Sequence, residues 1–168
     1  MKLARSMFHK FFLTSLLGLL PVIIGASTPD VKVYRGRGRY TSDVICTVRG
    51  AQVYKGTSVY QSDILCSVRG HQIYKGTSPY RADVLFTVRD GKVYRGTGVY
   101  TKDIVMTVRD GKVYTGTSPY TNDVLATIRD GKVYKGTSPY NADILFTIDG
   151  DLSQETLVAV WYTVMSEN

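Results

Sequence analysis

Tyr40, Tyr60, Tyr80, Tyr100, Tyr120 and Tyr140 recur every twenty residues, and each is followed three residues later by an aspartate, from Asp43 to Asp143. Two chemistries fit such a set. Tyrosine presents an apolar ring with a polar tip, suited to stacking against a sugar or a peptide. Carboxylates repeated around an axis would suit a cation. An aspartate just before a strand also closes its own turn by bonding to backbone, and that structural role is the favoured one here. A second series, Tyr34, Tyr54, Tyr74, Tyr94, Tyr114 and Tyr134, sits in a regular strand context and reads as packing. The Tyr40 series lies in the longer connections, where binding residues concentrate. Tyr60, Tyr80, Tyr100, Tyr120 and Tyr140 are therefore the candidate ligand-binding residues, with Lys102, Arg81 and Asn122 as nearby polar contacts that differ between copies.

Catalysis needs unlike groups gathered at one place, whereas this chain offers like groups six times over. Its two histidines are His9, inside an apolar leader, and His71, at a turn. No Cys–His, Ser–His–Asp or His–carboxylate set can be read, so no catalytic residue, metal ligand or cofactor is assigned. Thr57, Thr77, Thr97, Thr117 and Thr137 would form a flat ladder only in a stacked solenoid, and a ring would splay them apart. Cys46 and Cys66 share one repeat position, which Phe86, Met106, Ala126 and Phe146 fill in later copies. That position reads as apolar and buried. Export would also permit a disulfide between the two, and both readings stand.

These residues are carried by a twenty-residue unit repeated six times from Val31 to Ile148. Each copy holds two strand patterns dense in β-branched and aromatic residues: a first such as Lys112–Gly116 and a second such as Asp123–Arg129. In the second, simple alternation places Val124, Ala126 and Ile128 on one face and Leu125, Thr127 and Arg129 on the other. Asp-Gly at 90–91, 110–111 and 130–131 joins each second strand to the next first strand, a strong signal for a two-residue hairpin. Gly50-Ala51 and Gly70-His71 hold that place in earlier copies and match it less well. The phase of the array is informative. It opens on a first strand (Val31–Gly36) and closes on a second (Asp143–Asp149), leaving complementary edges at opposite ends. Pairing them closes a ring of six hairpins, an all-β toroid. An open β-solenoid is the alternative.

Residues 151–168 differ from the repeats. Ser153 suits an N-cap, and Leu157, Val160, Trp161, Val164 and Met165 recur at helical spacing, predicting a short helix that caps or plugs the open end of the array. Trp161, the only tryptophan, reads as a packing anchor. Residues 1–26 read as a signal peptide: Lys2, Arg5 and Lys10 precede an apolar run from Phe11 to Ile24, and Gly25-Ala26-Ser27 supplies small residues for cleavage. The apolar run falls short of the ~20 residues of a membrane span. The domains are thus 1–26, a repeat domain at 27–150 and a capping helix at 151–168. Cleavage would leave 18 basic and 14 acidic groups, a net +4 against +7 for the full chain. An excess so small does not argue for nucleic acid, and export argues against that partner.

The unit Asp-Gly-Lys-Val-Tyr-x-Gly-x-Ser-x-Tyr-x-x-Asp-[Val/Ile], followed by a short Trp-Tyr helix, resembles the four-fold beta-flower type of bacterial repeat protein over about Val31 to Met165. The chain carries six copies rather than four. That resemblance implies a β-hairpin repeat and brings no catalytic residues with it. Asp-Gly-Lys-Val-Tyr-Lys-Gly is also similar, more weakly, to the MORN repeat, although the period is shorter and the paired Gly-x-Gly and tryptophan positions are absent. The expected function is an exported, non-enzymatic binding module, secreted, periplasmic or at the cell surface. Its expected partner is an extracellular glycan, another surface polymer or a surface protein. The alternative is a structural or assembly scaffold whose tyrosines all pack.

Overall fold

A computed structural model describes residues 29–166, so the signal peptide expected at 1–26 lies outside the described residues. Twelve antiparallel strands run from β1 (Val31–Arg35) to β12 (Ile144–Asp149), and the two ends of the array meet. Val33 stands opposite Ile148 and Tyr34 opposite Thr147, which closes the sheet into a barrel. Closure is the arrangement that leaves no open edge to aggregate. The ring of six hairpins is the observed architecture; the open solenoid, and the flat threonine ladder it would need, are not.

Turn chemistry sets the hairpins. Asp90 and Gly91 both have positive φ, 49° and 75°, the requirement of a type I′ turn, and the pairs at 110–111 and 130–131 repeat it. A Cβ added to Gly91 would lie 2.6 Å from the carbonyl oxygen of Val108, so this glycine also permits a close approach of the next copy. The earlier turns solve the same problem differently. Gly50 and Gly70 have φ of 55° and 56°, while Ala51 and His71 do not adopt positive φ, which is the type II′ pattern with glycine first. The copies that depart from Asp-Gly therefore fit their turns as well as the others do.

The simple alternation expected along each second strand does not hold. Between β1 and β2 (Val44–Arg49), Val33 pairs with Cys46 and Tyr34 with Val44, leaving Ile45 as an extra residue. The same β-bulge recurs at every copy, including 124–126. Its consequence is a change of face. Val124 stands opposite Tyr114, so it joins the tyrosine on the outer wall, where it is buried yet apart from the main core. The bulge residues Ile45, Leu85, Val105 and Leu145 turn toward the core instead. Leu65 and Leu125 are not part of that packing, and Leu125 is 40 % exposed.

Twelve strands enclose more width than their own side chains fill. Helix α1 (Gln154–Ser166) fills it. Thr156, Val158, Ala159, Val160, Thr163 and Val164 are buried, and Val158 lies across the helix from Val160, so burial reaches opposite sides, as in a helix enclosed by protein. Thirteen residues give about 20 Å of helix, matching about 20 Å for a six-residue strand. The helix is thus a plug running through the lumen, and its burial extends beyond the single apolar face read from spacing. Met165, placed on that face from spacing, is 38 % exposed at the helix end. Ser153 caps the start, its hydroxyl accepting the Thr156 N–H at 3.2 Å. Trp161 is only partly buried, tilted over Phe146 with ring centroids 6.3 Å apart. Phe146, with no exposed surface, is the deeper anchor of that pair. Phe86 meets Tyr162 edge to face at 5.4 Å on another side of the helix.

Cys46 and Cys66 are not bridged; both are buried thiols. They lie on β2 and β4 (Ile64–Arg69), with β3 (Gln52–Lys55) between them. Two strand spacings make about 9.5 Å, beyond the ~7 Å that a disulfide spans between Cα atoms. Cys66 faces the helix, its Sγ 3.8 Å from the Ala159 carbonyl oxygen and 3.7 Å from the Thr163 hydroxyl. Burial pushes its pKa up to about 11, more than the Thr163 contact lowers it, so the thiol stays protonated and unreactive.

His71, exposed at its turn, reaches the start of α1 and sets Nδ1 2.9 Å from the Glu155 carboxylate. Partial burial works against that carboxylate, but the bonds from His71, its own backbone N–H and Ser153 outweigh it and hold its pKa below the ordinary 4.5. An acid whose folded pKa is depressed adds stability above its unfolded value and loses it as pH falls through the folded one. Melting temperature should therefore fall as pH drops below about 4.5. Glu155→Gln should flatten that part of the profile in scanning calorimetry, and an unchanged slope would show that this contact does not tie the helix down.

Candidate functional site

Because the strands alternate in direction, all six long connections lie at one rim of the barrel and all the two-residue turns at the other. Each long connection ends in a single 3-10 turn, such as Gln61–Asp63, whose first flanking residue is a Tyr40-series tyrosine in extended conformation. The aspartate holds that turn. In four copies the tyrosine N–H donates to a serine hydroxyl, and the serine donates onward to the aspartate: Tyr60 to Ser58 at 3.1 Å and Ser58 to Asp63 at 2.5 Å in the second copy. Where glycine replaces serine, the tyrosine N–H reaches the aspartate directly, Tyr40 to Asp43 at 3.2 Å and Tyr100 to Asp103 at 3.3 Å. The Tyr-x-x-Asp element is a capped turn in every copy.

That cap fixes the backbone and leaves the tyrosine rings outside. Tyr60, Tyr80, Tyr100, Tyr120 and Tyr140 are between 67 % and 71 % exposed, and Tyr40 is 78 % exposed. Val59 and Val99 beside them are exposed as well. The structure thus brings all the candidate tyrosines to one rim, as a circle of separate rings. Arg81 and Asn122 are exposed on the same rim. Lys102 is there too, with its Nζ 5.8 Å from the centre of the Tyr100 ring. Five of the six first strands end at this rim on an exposed lysine or arginine, Thr115 being the sixth. The aspartates are committed to the turns, so the free charge of the rim is positive.

The Tyr34 series behaves differently. These rings lie on the outer wall, Tyr114 and Tyr134 each only 8 % exposed. Arginines at the ends of the second strands cover four of them: Arg49 over Tyr54 at 5.3 Å, Arg69 over Tyr74 at 5.0 Å, Arg109 over Tyr114 at 4.5 Å and Arg129 over Tyr134 at 4.7 Å. Packing is the role expected for this series and the role it has. Two structural features went unread in the sequence. One is the arginine cover, which an Arg five residues before a Tyr across a two-residue turn would have signalled. The other is a hydroxyl at Thr47, Ser67, Thr87, Thr107, Thr127 and Thr147 that donates to a glycine carbonyl at the end of the neighbouring strand, at 2.6–2.7 Å. The last of these, Thr147 to Gly36, spans the closure.

Comparison with curated proteins finds no match. Among solved structures, an X-ray structure of a protein from Arabidopsis thaliana is similar at 15 % identity, covering 82 % of this chain and 89 % of that one, with a TM-score of 0.43. A family model described as 6-fold beta flower protein matches residues 33–161. Six copies therefore replace the four-fold count of the resemblance drawn from the sequence, and the MORN likeness finds no support. With the match running from the first strand into the plugging helix, the chain belongs to the 6-fold beta flower protein family.

Proposed function

We propose that this protein is an exported, non-enzymatic binding module that holds an extracellular glycan or related surface polymer at its tyrosine rim. The observation that carries the reading is the exposure of the rim rings, 67–78 %, on turns whose backbone is already capped. A scaffold gains nothing from large rings left in water, whereas a sugar gains a flat apolar face with a polar edge. Rigid turns also reduce the entropy lost on binding. Tyr60, Tyr80, Tyr100, Tyr120 and Tyr140 supply the stacking, and Lys102, Arg81 and Asn122 supply polar contacts that vary around the ring. Each site is shallow, and a polymer that engages several at once gains by avidity what one site lacks.

A glycan array probed with the intact protein, then with Tyr80→Ala/Tyr120→Ala, tests the reading. Binding is expected to fall by at least about tenfold in the double variant, since avidity depends on the number of sites engaged. Melting should scarcely change, because exposed substitutions cost within about 0.5 kcal/mol. Absence of binding to any glycan, with folding lost in the double variant, would assign the rim to structure instead.

A further inference from the structure

The six junctions on the outer wall are not equivalent, and the odd one is the closure. In each of the other five, the second strand ends on arginine: Arg49, Arg69, Arg89, Arg109 and Arg129. In β12 that place belongs to Asp149. Register makes the comparison exact to the residue: Asp149 stands opposite Lys32, two residues before Tyr34, just as Arg49 stands opposite Gln52, two residues before Tyr54. Tyr34 is thus the copy whose covering guanidinium has been replaced by a carboxylate. The connection after β1 departs from the repeat at the same point. Where three later copies read Thr-Ser-Pro, this one reads Arg37-Gly38-Arg39.

A cavity of about 430 Å³ lies at this seam, lined by Tyr34, Arg39, Asp130, Lys132 and Asp149 among others. A second hollow of about 250 Å³ adjoins it, sharing Arg39 and Lys132 and extending to Arg37. The larger volume falls within the range of small-ligand sites. Among the described residues, Arg37, Arg39 and Lys132 are in no ion pair. Three uncommitted cations therefore converge beside an uncovered aromatic ring and two carboxylates.

We propose that the closure seam is a binding site, one per molecule, for an anionic sugar residue. The sugar ring stacks on the face of Tyr34 that lacks an arginine. Asp149 and Asp130 accept hydrogen bonds from its hydroxyls. Arg37, Arg39 and Lys132 hold its carboxylate or phosphate, arginine being suited to either group through paired N–H donors. The site reaches the rim through Arg37 and Arg39, but none of the rim tyrosines lines it, and it does not depend on their function.

Titration calorimetry of the full chain decides, with tetragalacturonate and glucose 6-phosphate as probes and neutral maltotetraose as the control. One site per chain is expected for at least one anionic probe, with maltotetraose about tenfold weaker or worse, and the probe that binds identifies the anion as carboxylate or phosphate. Asp149→Arg installs the residue that the other five copies carry, so it should leave melting unchanged while lowering affinity about tenfold or more. Arg39→Ala should weaken binding to a similar degree and serves as the second variant should Asp149→Arg fold poorly. Tyr120→Ala at the rim should leave the one-site binding unchanged, which separates this site from the rim. Failure of both anionic probes to bind, equal binding of maltotetraose, or affinity unaltered in a folded Asp149→Arg or Arg39→Ala variant would overturn the proposal.

Discussion

Ending the chain at Gly150 is expected to abolish cooperative folding, although all twelve strands would remain. The deleted helix carries Val158, Val160 and Val164, each at most 2 % exposed. Full burial of a side chain of this size stabilises by roughly 1.5–3 kcal/mol, so the three valines alone account for about 5–9 kcal/mol. A small domain is stable by only about 5–15 kcal/mol in total. Removal would also strip cover from Cys66, Phe86 and Phe146 and leave an apolar lumen open to water. Circular dichroism melting and dye binding to exposed apolar surface check this. A sharp transition within a few degrees of the intact protein would mean that the barrel walls hold their shape without the plug. Phe146→Ala is a milder probe of the same contact, with an expected loss of about 3–5 kcal/mol.

Deleting Val31–Arg35 should be nearly as severe by a different route. The deletion removes one strand of twelve but breaks two pairings, β1 with β12 and β1 with β2. It also removes Val33, which has no exposed surface, and the closing bonds from Thr147 to Gly36 at 2.7 Å and from Gly36 to Leu145 at 3.0 Å lose their setting. The products are two unpaired edges, rich in Val, Ile and Thr and free to pair with another molecule. Light scattering after size exclusion should show oligomers or aggregate at concentrations where the intact chain is uniform. A variant that stays monomeric with unchanged melting would show that closure contributes little.

Much of the site's framework was legible because its causes are local. Asp-Gly between two strand patterns specifies a tight hairpin through the φ angles it tolerates, and the pairs at 90–91, 110–111 and 130–131 adopt those angles. Tyr-x-x-Asp closes its own turn within three residues, so the caps at Asp63 and Asp103 could be read without any distant partner. Even closure was readable, since an array that starts on one strand type and ends on the other leaves complementary edges.

What stayed hidden depends on residues far apart in the chain. The bulge at Ile45 exists only relative to β1, so alternation read along a single strand put Val44-type residues inside and Ile45-type residues outside. The gap between Cys46 and Cys66 is set by the strand that runs between them. Helical spacing alone picked out one apolar face because Thr156, Ala159 and Thr163 are small or polar, yet a lumen ringed by twelve strands buries these residues as well. By itself the sequence determined the number of hairpins and their Asp-Gly turns and made the pairing of the two ends the expected closure, all consequences of backbone sterics and order along the chain. Only the tertiary structure decided that the helix lies within the barrel, that the rim tyrosines stand in water, and that Tyr34 and Asp149, 115 positions apart, line one cavity. Burial and juxtaposition follow from what the rest of the chain brings alongside, and no short segment carries that information.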